Sequence, residues 1–205
     1  MSDEKMSDGI VYAALGDSTG AGVGARSGGG GYVARLFKRI NETRPGSRLV
    51  NLCVSGATTA DVLRSQMPRF ERERPDLVTV GIGVNDVQRL SQEQYAANLE
   101  AIITRVRAVS EAPLVLTNIP DIACAPGVPA FMRDDARRRI RLFNLAIDDA
   151  AARHDLRVVD VFTPSAELLP ARPEFFCSDG FHPSDEGYEF WADAMWPAVR
   201  EAVGG

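Results

Sequence analysis

A chain of 205 residues is long enough for one well-buried core and short for two full domains. With 45% hydrophobic and 25% charged residues its composition is ordinary for a soluble globular protein. The formal charge of −5 leaves no electrostatic footprint for nucleic acid, and no Lys/Arg cluster is long enough for a membrane-binding patch.

The first nine residues, MSDEKMSDG, are polar and acidic and are expected to be flexible. They lack the basic and apolar regions of a secretory signal, and no apolar run approaches transmembrane length, so a cytoplasmic protein is expected. A first strand is predicted over 10–15, followed by the glycine-rich stretch GDSTGAGVGARSG. A helix near 32–40, a strand over 49–54 and a helix near 60–70 come next. After a strand over 77–80, Ser91 and Gln94 form a capping-box start for a helix whose stripe is Tyr95, Leu99, Ile102, Ile103 and Val106.

The fourth strand is predicted over 114–117, followed by a patternless stretch over 120–130. Ala136, Ile140, Phe143 and Ile147 mark a helix, on which ARRRIR (136–141) reads as a solvated face. His154, in AARHDL at the end of that helix, suits the helix dipole and is given a structural role. A fifth strand over 158–161 precedes a second patternless stretch, 162–182. Ser184, with Asp185 and Glu186 behind it, starts a last helix with the stripe Tyr188, Trp191, Ala192 and Met195. Pro197 is expected to kink or stop that helix. Cys53, Cys124 and Cys177 are widely spaced and read as reduced thiols, and with two histidines no zinc site is expected.

Five strand–helix units with continuous rather than alternating apolar strands predict a single doubly wound α/β domain with a parallel sheet. In the order 2-1-3-4-5 the first strand lies between the second and third, so the turns that leave them become neighbours. Those turns carry Gly16-Asp17-Ser18, Ser55-Gly56-Ala57-Thr58-Thr59 and Gly81-Ile82-Gly83-Val84-Asn85-Asp86. Together they bring one hydroxyl, backbone N–H groups at Ser18 and Gly56, and the Asn85 amide to one rim, the set that acyl transfer needs. Serine needs a base, and His182, in SDGFHPSDEG, lies on the same rim. Asp179, three residues earlier with Gly180 between, can reach back to its Nδ1–H. Alone, that pair also reads as a capped helix start with a surface histidine; beside Ser18, Gly56 and Asn85 it reads as acid and base.

These blocks resemble the SGNH hydrolases, also called the GDSL esterases and lipases. GDS (16–18) matches the first block, SGATT (55–59) the second, GVND (83–86) the third and DGFHP (179–183) the last. The resemblance implies a flavodoxin-like three-layer α/β/α fold and hydrolysis of carboxylic esters or thioesters without a metal or other cofactor. It implies Ser18 as nucleophile, Asp179 and His182 as the rest of a triad, and Ser18, Gly56 and Asn85 as oxyanion donors. One departure is visible: Thr19 stands where the family usually has Leu.

Two other readings compete. GDSTG also fits the G-x-S-x-G elbow of α/β-hydrolases, but that fold places its serine mid-chain and its acid far from its histidine. GAGVGARSG follows a strand as a nucleotide- or phosphate-binding module would have it, yet the Gly-x-Gly-x-x-Gly spacing from Gly22 meets Ser27 and no P-loop lysine follows. Within the hydrolases, the apolar stretch 119–132 and Phe175-Phe176 predict a pocket for a short to medium acyl chain, with carbohydrate O-deacetylation as the alternative. The expected partner is a small acyl ester, with no nucleic acid and no stable membrane insertion; the sequence leaves the oligomeric state open, with a monomer favoured.

Overall fold

The computed structural model of the chain describes residues 9–26 and 30–204. Residues 1–8 of the expected flexible start, and Ser27, lie outside the described residues. Strands β1 (Val11–Gly16), β2 (Arg48–Asn51), β3 (Leu77–Gly81), β4 (Leu114–Thr117) and β5 (Arg157–Val159) form an all-parallel sheet. Its order is β2-β1-β3-β4-β5, as the sequence predicts.

Helices cover both faces. On β1, Ala13 and Leu15 enter one core cluster, while Tyr12 and Ala14 enter the other, and all four are fully buried. That is why the run is continuously apolar. The first cluster packs under α4 (Met67–Phe70), α6 (Gln92–Val109) and α7 (Arg133–His154). The second packs under α2 (Tyr32–Thr43) and α9 (Asp185–Ala202). Among the described residues no helix is long and apolar enough to cross a membrane.

Boundaries follow local hydrogen bonding. Ser91 Oγ accepts the Gln94 N–H and Gln94 Oε1 accepts the Ser91 N–H, closing both halves of the predicted capping box. β2 ends at Asn51, earlier than expected, because the Asn51 side chain takes the Cys53 N–H and donates to the Gly20 carbonyl. β5 ends at Val159 because Asn118 Oδ1 accepts the N–H groups of Val161 and Phe162 and turns the chain into α8 (Phe162–Leu168). That helix lies in a stretch that shows no pattern in the sequence.

The predicted helix over 60–70 is three pieces: α3 (Thr59–Asp61), a π-helical turn (Val62–Gln66) and α4. Pro68 within α4 has no N–H to offer a carbonyl one turn back, which favours the wider turn. Of the two outcomes expected at Pro197, a stop is corrected: α9 runs on to Ala202, with Ala198 and Val199 buried beyond the proline.

The reading of 136–141 as a solvated face is also corrected. Arg137 Nε donates to Asp121 Oδ2 at 2.6 Å, and the Asp121 carboxylate is fully buried. Arg139 donates to the carbonyls of Val87 and Leu90, so these arginines brace the loops of the carboxyl rim. Only Arg138, paired with Asp135, is a surface ion pair of the ordinary kind. Breaking a buried pair strands a charge, whereas a surface pair is worth little. Arg137→Met is expected to cost about 3 kcal/mol and Arg138→Met less than about 1 kcal/mol, compared by urea denaturation.

Candidate active site

Ser18 opens α1 (Ser18–Ala21), one residue past the Asp17 cap and two past the end of β1. Asp17 Oδ1 accepts both the N–H and the hydroxyl of Thr19, at 3.0 and 2.8 Å, so the residue that departs from the family pattern adds a second donor to the cap. As the first residue of the helix, Ser18 has a backbone N–H with no intrahelical carbonyl to meet. Burial of the Asp17 carboxyl pushes its pKa up to about 6, although the two Thr19 bonds work against the rise.

The histidine loop arrives from the far end of the chain. An antiparallel bridge pairs Phe176 with Pro183, and the Cys177 N–H donates to the His182 carbonyl, closing a tight loop around 178–181. Inside it, Asp179 Oδ1 accepts the N–H groups of Phe181 and His182, while Oδ2 meets His182 Nδ1 at 2.6 Å. The three-residue spacing thus serves the carboxylate twice, once for the backbone and once for the ring. Partial desolvation works against ionisation, but the bonds from the His182 ring and the two backbone N–H groups outweigh it and hold the Asp179 carboxyl well below the usual carboxylate range.

With Nδ1–H assigned to Asp179, Nε2 is left as an acceptor, and it lies 3.1 Å from Ser18 Oγ. Ser18, His182 and Asp179 are therefore brought into one hydrogen-bonded chain. His154 is elsewhere, as expected: it ends α7 and pairs through Nε2 with Glu100.

Gly56 sits in the turn that follows β2. The Ala57 N–H donates to the Val54 carbonyl at 3.1 Å and Gly56 has φ of 78°, the left-handed third position of a type II turn. Such a turn leaves the Gly56 N–H facing away from its own closing bond, and a Cβ there would meet nothing within 4 Å. Asn85 directly precedes α5 (Asp86–Arg89) after β3, and its Nδ2 donates to the Ala57 carbonyl at 3.0 Å, leaving its second amide hydrogen. Three further bonds tie these turns together: Arg89 Nη1 donates to the Gly56 carbonyl, and the Thr59 N–H and hydroxyl both donate to buried Asp86 Oδ1. Asp86 is the last residue of the GVND block, whereas Arg89 carries no signal in the sequence.

A cavity opens beside Ser18 and His182. Its volume is about 50 Å³. Its walls include Pro120 and Ile122 from the first patternless stretch and Phe175 and Phe176 from the second, as anticipated. Val161, Ser165 and Leu169 also line it, supplied by the unforeseen α8 region, together with Phe190 and Trp191 from α9. The glycine-rich stretch takes a different part. A Cβ on Gly24 would lie 2.6 Å from the Pro183 carbonyl oxygen, and Tyr188 donates to the Val23 carbonyl, so this loop packs behind the histidine loop.

The GDSL-like lipase/acylhydrolase family matches residues 14–190. The chain belongs to this family. It is a carboxylic ester hydrolase, and its relatives carry matching descriptions. Esterase TesA of Pseudomonas aeruginosa is 26% identical over 91% of this chain and 86% of its own length. An acetylxylan esterase of Geobacillus stearothermophilus is 24% identical over 82% of this chain and 80% of its own length. The crystal structure of that bacterium's Axe2, also an acetylxylan esterase, superposes with a TM-score of 0.76 over 95% of this chain and 96% of the other. Solved variants of Axe2 described as catalytic mutants replace one serine, one aspartate and one histidine.

In this hydrolase Asp17 makes stability depend on pH. The folded protein holds the Asp17 proton up to about pH 6, whereas the unfolded chain releases it near pH 4. The contribution of Asp17 to stability is therefore full at and below about pH 4 and is lost as pH rises through about 6. Asp17→Asn keeps a cap acceptor and cannot ionise. Between pH 4 and 7 it should gain stability relative to the parent, on the order of 3 kcal/mol, in urea titrations at each pH.

Proposed function

We propose that the protein is a serine esterase of short to medium acyl esters, with Ser18 as nucleophile, His182 as general base and acid, and Asp179 as the acid that orients it. The observation that carries this reading is the bonded chain from Asp179 through His182 to Ser18 Oγ at the mouth of an apolar cavity. The hydroxyl proton passes to His182 Nε2 as Oγ attacks the ester carbonyl carbon. The oxyanion is met by the N–H groups of Ser18 and Gly56 and the remaining amide hydrogen of Asn85. His182 then protonates the leaving alcohol, the acyl-serine forms, and water repeats the sequence with the roles reversed. Asp179, kept ionised by its three donors, stabilises the imidazolium at each stage.

The wall of Phe175, Phe176, Phe190 and Leu169 supports an acyl chain in the cavity, because it offers apolar contact and few polar partners. A second reading, carbohydrate O-deacetylation, is supported by the likeness to acetylxylan esterases. Ester chain length separates the two. On the first reading kcat/KM for p-nitrophenyl esters rises from acetate to butyrate or hexanoate; on the second it peaks at acetate, and acetylated xylo-oligosaccharides are turned over faster than any simple ester.

Ser18→Ala and His182→Ala should each lower kcat by about 10⁴-fold or more while the circular dichroism spectrum is kept, and His154→Ala should stay within about twofold of the parent. Near-parental turnover by Ser18→Ala would end the assignment. Asn85→Ala should lose about 3 kcal/mol of transition-state stabilisation, seen in kcat with little change in KM.

A further inference from the structure

Gln66 is a fully buried amide that the reaction scheme above does not use. It ends the π-helical turn Val62–Gln66, one helical step from buried Val62 and another from buried Phe70, in a stripe otherwise apolar. Both ends of its amide are spent on a single residue. Oε1 accepts the Gly16 N–H at 3.0 Å, and Nε2 donates to the Gly16 carbonyl at 2.7 Å.

Gly16 is the last residue of β1. It is in register with Gly81 of β3, but the pairing with β2 has already ended at Asn51 opposite Ala14. Gln66 stands in for the missing strand and holds both polar groups of the Gly16 backbone, sharing the carbonyl with the Val54 N–H. Asp17 and Ser18 follow directly. A neutral amide buried for no other partner, on a π turn of the kind often found beside functional sites, is a costly arrangement to keep for packing alone.

We propose that Gln66 is a positioning residue for the nucleophile: by clamping Gly16 it sets where Ser18 Oγ lies relative to His182 Nε2. This rests on the reading of Ser18 as nucleophile. A proton can pass between the two only over a narrow range of distance and angle. A shift of the strand end by a fraction of an ångström is felt in the rate of attack, with little effect on substrate binding in the cavity.

The experiment uses Gln66→Leu, which keeps volume and removes both bonds, and Gln66→Glu. A protonated carboxylic acid offers the same acceptor and donor as the amide; its ionised form sets a second acceptor against the Gly16 carbonyl. Steady-state hydrolysis of a p-nitrophenyl ester and the rate of covalent labelling by a p-nitrophenyl phosphonate are measured on the whole chain. Gln66→Leu is expected to lose kcat and labelling rate together, by about tenfold or more, with KM within about twofold. For Gln66→Glu, the ratio of its kcat to the parent's at the same pH is expected to approach one near pH 5 and to fall by about tenfold toward pH 8, as the acid ionises.

A folded Gln66→Leu variant with parental kcat and labelling rate would overturn the proposal. So would a Gln66→Glu ratio that does not change with pH, which decides the matter if the leucine variant does not fold. Ser18→Ala, run alongside, separates the layers. Turnover retained there removes the nucleophile reading itself; turnover lost there, with parental Gln66 variants, removes the positioning role alone.

Discussion

The bond between Ser18 Oγ and His182 Nε2 joins residues 164 positions apart, and the rest of the rim is organised around keeping those ends in register. Closing so long a loop brings no bond energy of its own, so each end has to be held locally before the two meet. The serine end rides on β1, a central strand with β2 on one side and β3 on the other. The histidine end is a tight loop whose shape is fixed by an aspartate bonded to two backbone N–H groups and one ring nitrogen. Neither end needs the substrate to take its place, which is the condition for preorganised catalysis.

The same rim shows how a sheet of this kind tolerates carboxylates at its edge. Asp17, Asp86 and Asp121 are all buried, and each answers to donors close at hand: Thr19, Thr59, and Arg137 with the Ala123 N–H. Burial raises the pKa of Asp17 and of Asp86, so both carry an electrostatic cost in the folded protein. What they return is rigidity between turns. Asp86 ties the turn after β3 to the one after β2, and Asp17 caps the helix that begins with the serine.

The apolar cavity and the charged rim are complementary. The walls of the cavity beside Ser18 are largely apolar and aromatic, with Phe175, Phe176, Phe181, Phe190 and Trp191 among them. Much of this wall comes from the parts of the chain, 120–130 and 162–182, that show no pattern in the sequence. Their order comes from side chains such as Asn118, turning the chain into α8, and Asp121, fixing the loop after β4.

Periodicity and the chemistry of single residues were enough to read the five strands and the capping box at Ser91, while the strand order and the blocks that carry Ser18, Gly56, Asn85, Asp179 and His182 were legible together with the resemblance to the SGNH hydrolases. These features are legible because they are local: a strand buried on both faces must be apolar throughout, and an acid three residues from a histidine can bond it within one turn. The unread features were those in which a polar side chain meets a distant backbone. Gln66 on Gly16, Asn118 on the start of α8, and Arg139 on Val87 and Leu90 are of this kind. A backbone carbonyl is the same chemical group at every position, so no residue type in the sequence marks which one a side chain will find. That choice belongs to the packed fold.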